Sequence, residues 1–68
     1  MPRFIELKQN NWDTVIVNTD RIEIIQDEFR QHRTKIVLAS GEHVYVMESP
    51  DTIISKSRYE YEASTLNN

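Results

Sequence analysis

Residues 45–54 read YVMESPDTII, and the period of the chain changes inside them. Up to Met47 the side chains alternate, Val44 and Val46 on one face and His43 and Tyr45 on the other, which is the period-two mark of a strand. After Pro50 the spacing becomes helical: Ile53, Ile54, Ser57 and Tyr61 recur at intervals of a helix face. The four residues between, Glu48-Ser49-Pro50-Asp51, could be an acidic reactive or metal-binding cluster. They read better as punctuation. Glu48 ends the strand, Ser49 suits an N-cap, and Pro50 suits the first helical position, where its missing N–H costs nothing. Asp51 then meets the positive end of the helix dipole, with Lys56 and Arg58 further along. A helix is expected from Pro50 to about Tyr59 or Glu62. Nothing adjacent supplies a general base or a dedicated ligand set, as a reactive site requires.

Working outward, four more alternating runs precede this one. Ile5 and Leu7 oppose Glu6 and Lys8; Val15 and Val17 oppose Thr14 and Ile16; Ile22 and Ile24 flank Glu23; Thr34, Ile36 and Leu38 flank Lys35. Gln9-Asn10-Asn11 reads as a turn, because asparagine tolerates positive φ and bonds its own backbone. Asn18-Thr19-Asp20 reads as a polar corner. Ser40-Gly41 holds the only glycine of the chain, where a two-residue hairpin turn needs freedom from Cβ strain. Connections this short require antiparallel neighbours. The expected fold is mainly β (α+β): an antiparallel meander of five short strands, strongly curled or barrel-like, followed by one C-terminal helix. Residues 1–62 form a single small domain in this reading, and 63–68 a frayed tail.

Sixty-eight residues bury only about 60% of their unfolded surface, so extra support is expected. There is no cysteine, which excludes disulfides and thiolate metal sites and fits a cytoplasmic setting. The apolar runs are too short for a membrane span. Self-association is the remaining source of stability, so a homo-oligomer is expected. The net charge of −3 argues against nucleic acid as the main partner. One segment runs the other way: residues 29–35, FRQHRTK, carry Arg30, His32, Arg33 and Lys35 without an acid. Its plain reading is a solvated loop balanced by Asp27 and Glu28; its alternative is a nucleic-acid contact through Arg30, Arg33 and Lys35.

Catalytic groupings are missing from the sequence. One glycine cannot make a phosphate loop. His32 and His43 could approach across the fourth and fifth strands, with Glu42 or Glu48 beside them, but zinc needs three or four convergent ligands. No serine has a histidine–carboxylate partner in view. The expectation is a protein that is not an enzyme, with no cofactor and no metal. More informative are Phe4, Ile16, Ile25, Val37, Tyr45 and Met47, which alternation places opposite the core faces. A one-sided sheet would be polar there. With Trp12 by the first turn and Phe29 in the basic segment, they nominate a partner surface: Trp12, Tyr45, Met47, Ile16, Val37 and Phe29, facing an unidentified protein.

These runs carry a resemblance. Ile5-Glu6-Leu7, then Val17-Asn18-Thr19-Asp20-Arg21-Ile22, then Thr34 through Gly41, then Tyr45-Val46-Met47-Glu48-Ser49 are similar in order and spacing to the small bacterial flagellar and swarming-motility proteins of the FlbD family. The likeness spans roughly residues 4–54. It implies a role in motility and transfers no catalytic residues. This chain departs from the pattern at Asn10-Asn11-Trp12, where Asn-Gly is usual, and at Met47, where lysine is common. The segment 27–33 is also longer and more basic.

Overall fold

The computed structural model describes residues 3–57. Strand β1 (Phe4–Lys8) pairs with β2 (Thr14–Asn18), and β3 (Ile22–Glu28), β4 (Arg33–Leu38) and β5 (His43–Val46) form a second sheet in that order. All pairings are antiparallel. Short 3-10 turns at Thr19–Arg21 and Phe29–Gln31 link β2 to β3 and β3 to β4, and helix α1 covers residues 50–57. The described residues are therefore mainly β, with two antiparallel sheets and one C-terminal helix. The expected continuation of the helix to 59 or 62, its contact at Tyr61 and the 63–68 tail lie outside the described residues.

Two expectations about the sheet are corrected. The five strands do not make one curled or barrel-like meander, because no ladder joins β2 to β3. Asn18 Oδ1 accepts the Asp20 N–H at 3.0 Å and starts the 3-10 turn, so the chain turns a corner instead of folding back in plane. The second correction is in β3. Ile22 pairs with Leu38 but Ile24 with Val37, so a bulge absorbs Glu23. That extra residue flips the alternation. Ile22 and Ile25 both pack against the core, and Ile24 is 52% exposed.

Ile5, Leu7, Val17, Ile36, Val44, Val46 and Ile53 form the buried core, drawn from both sheets and the helix. Each such side chain contributes about 1.5–3 kcal/mol on removal from water. The helix holds its place by its cap: Ser49 Oγ accepts the Thr52 N–H at 3.2 Å, and Ser49 O accepts the Ile53 N–H at 3.1 Å. This is the role expected of Ser49, and it aims Ile53 into the core.

The turns are built differently from the expected ones. Leu38 N–H donates to Glu42 O at 2.9 Å and Gly41 N–H to Leu38 O at 2.8 Å, which makes a three-residue loop, not a two-residue one. Gly41 sits at φ +92°, so its missing Cβ is used, one step later than expected. In the first turn the asparagines do not adopt positive φ; Asn10 instead works through its side chain. Its Oδ1 accepts the N–H groups of Trp12 and Asp13, both at 2.8 Å, and its Nδ2 donates to Asp13 Oδ2 at 2.8 Å.

Candidate interaction surface

Glu48 lies two residues beyond the end of β5, not in the strand. Its carboxylate accepts the Lys8 N–H through both oxygens, at 3.0 and 3.1 Å, and lies 3.7 Å from Lys56 Nζ. Its carbonyl accepts the hydroxyl of buried Thr34 at 2.6 Å. One residue therefore joins β1, β4 and α1. Met47 N–H donates to Lys8 O at 2.7 Å and Lys56 Nζ to Glu6 O at 2.8 Å, completing the seam between the two sheets. The acidic motif is thus a latch. Sequence reasoning missed this use of Glu48, because the donor it needed is a backbone N–H forty residues away.

The latch also decides what gathers around it. The Met47–Lys8 bond brings the β1–β2 loop to the β5–α1 junction, and the Thr34–Glu48 bond brings the start of β4, with the 3-10 turn before it, to the same end. Three large apolar side chains stand exposed at this pole: Trp12 at 87%, Phe29 at 67% and Met47 at 51%. Trp12 rides on the backbone that Asn10 holds. Arg30 lies with its guanidinium carbon 5.8 Å from the Phe29 ring centroid.

The other nominated residues are placed elsewhere. Ile16 is exposed on the outer face of the β1–β2 sheet, diagonal to exposed Phe4. Val37 and Tyr45 are half-buried on the outer face of the β3–β4–β5 sheet. Tyr45 is not bare: Arg33 lies 4.0 Å above its ring, and Arg33 Nε donates to Glu28 Oε1 at 2.7 Å. Such stacking over an aromatic face is favourable by about 0.5–1 kcal/mol at exposed sites. The six nominated residues thus do not form one continuous face.

The basic segment is also reorganised. Arg33, Thr34 and Lys35 belong to β4, which shortens the loop to residues 29–32. Arg33 is committed to Glu28 and Tyr45, Lys35 pairs opposite Tyr45 at mid-sheet, and Arg30 stands apart on the turn. His32 and His43 do not converge. His32 precedes β4, whereas His43 pairs with Val37 near its other end. Five residues of extended chain put them roughly 17 Å apart. Among the described residues no group of three or more histidines, aspartates and glutamates is placed to hold a metal ion. None of their helices is long and apolar enough to cross a membrane.

Fold and surface together define a small mainly-β domain whose sheets are pinned by an acidic latch and which exposes Trp12, Phe29 and Met47 at one end. The chain belongs to the FlbD family of flagellar and swarming motility proteins, whose family model matches residues 4–65. That match extends past residue 54, the end of the resemblance read from the sequence. Comparison with curated proteins and with solved structures finds no match.

Proposed function

We propose that this chain is a non-enzymatic protein-binding module that acts in motility through the Trp12–Phe29–Met47 pole. The observation that carries this reading is Trp12, 87% exposed on a loop that Asn10 fixes with three side-chain hydrogen bonds. Exposing an indole forgoes burial energy, and fixing its backbone lowers the entropy lost on binding. Tryptophan and arginine are the residues over-represented among binding hot spots. Phe29, Arg30 and Met47 at the same pole supply the same chemistry. Family membership supports the motility setting. The nucleic-acid alternative has less to draw on, since Arg33 already pairs with Glu28.

Site-specific photo-crosslinking in motile cells tests the reading. A photoreactive residue at position 12 or 47 should give a discrete protein adduct, and one at Glu42, in the β4–β5 loop, should not. Adducts of equal yield at all three positions, or none at 12 and 47, would sink it. Binding to DNA that needs Arg30 and Lys35 and weakens steeply with salt would favour the alternative.

A further inference from the structure

Both outer edges of the β1–β2 sheet can be read from its hydrogen-bond phase. Gln9 N–H donates to Asp13 O at 2.9 Å and Thr19 N–H to Arg3 O at 2.7 Å, one bond at each end of the ladder. Antiparallel pairs alternate between bonded and non-bonded, so residues 3, 5, 7 and 9 bond to 19, 17, 15 and 13. The intervening residues turn their backbone groups outward. On β1 three of these groups are taken: Lys8 O takes Met47 N–H, Lys8 N–H goes to the Glu48 carboxylate, and Glu6 O takes Lys56 Nζ. On β2, Thr14 and Ile16 present N–H and C=O, and Asn18 its N–H, along an edge that no described strand pairs.

We propose that this β2 edge pairs with the β2 edge of a second copy of the chain, antiparallel about a two-fold axis at Ile16. The register is self-complementary. Ile16 faces Ile16 of the partner subunit and exchanges both N–H···O bonds with it, while each Asn18 N–H donates to the opposite Thr14 carbonyl. The segment TVIVN contains no charge, proline or bulge, the devices by which edge strands are kept from pairing. The acids that flank it are occupied, Asp13 by the Asn10 amide and Asp20 by Arg3. The β3 edge is the opposite case. It carries a bulge, and its three acids Glu23, Asp27 and Glu28 are met by one cation, Arg33 on Glu28, so two copies would set acid against acid. On the outer face, pairing brings together two isoleucines that are each 67% exposed. This inference is independent of the Trp12–Phe29–Met47 reading.

The test is the mass of the full chain in solution, with the amide exchange of β2. At about 100 µM the wild type should approach twice its 8.1 kDa, and the Ile16 amide should gain protection as concentration rises. Ile16→Pro removes an outward N–H and no ladder bond to β1, so it should fold and remain a monomer. Ile16→Lys should do the same without any backbone change. Two lysines, Tyr45→Lys with Met47→Lys, should leave the dimer intact. A monomeric wild type at this concentration overturns the proposal, including the case where the chain's own residues 58–68 protect Ile16. So does a dimer that survives both Ile16 variants, or one lost only with Tyr45 and Met47.

Discussion

At Glu48 one carboxylate replaces what would otherwise be missing strand pairing, accepting the outward N–H of Lys8 where β1 has no neighbour. A charge-assisted bond from an exposed backbone donor to a half-buried carboxylate contributes about 1–2 kcal/mol, and the longer approach of Lys56 adds little at the surface. Glu48→Ala should therefore cost about 1–2 kcal/mol in a urea titration. Glu48→Gln, which keeps an acceptor, should retain most of that stability; an equal loss in both variants would assign the effect to charge instead. His32 offers a second test, being the one non-glycine residue at positive φ among those described, at 56°. Histidine tolerates this region better than most residues, but a β-branched side chain does not. His32→Val should cost about 1–2 kcal/mol, whereas His32→Gly should be neutral or gain up to about 1 kcal/mol. A stable His32→Val protein would mean that the turn relaxes to another geometry.

Elements differed in how far their sequences disclosed them. The strands of the outer hairpins were legible, because Ile5 and Leu7, Val15 and Val17, and Val44 and Val46 alternate without interruption. So was the start of α1, where Ser49-Pro50-Asp51 is local chemistry acting on local backbone. The β3 bulge was not legible: IEII alternates equally well in either phase, and only pairing with Leu38 and Val37 selects the one that sends Ile25 inward. The missing β2–β3 ladder was hidden for a similar reason, since Asn-Thr-Asp suits a hairpin turn and a 3-10 corner alike. For α1 the account makes two expectations. Ser49→Ala loses the Thr52 cap and should cost about 1 kcal/mol. Ile53→Ala empties a fully buried position and should cost about 2–5 kcal/mol, against a total of roughly 3–10 kcal/mol for a chain of this length. Thermal melts of the two variants should rank them in that order; the reverse ranking would show that the helix is held by its end and not its face.

For the whole molecule, the candidate surface was only partly legible in the sequence. Trp12, Phe29 and Met47 could be nominated as exposed, but their common position depends on two bonds at the latch, Met47 to Lys8 and Thr34 to Glu48. Conversely, alternation places Tyr45 on the apolar second face, whereas Arg33 stacks over its ring. A family of motility proteins and a domain that exposes Trp12, Phe29 and Met47 at one end fit a part that works by contact. The central claim, that this end serves function and not folding, is tested most directly by replacing Trp12, Phe29 and Met47 together by alanine at the native locus. Swarming is measured beside the melting temperature and cellular level of the variant. The account predicts lost swarming with a melting temperature within about 3 °C of wild type, because exposed residues contribute little to stability. Normal swarming by a folded, normally abundant triple variant would contradict it.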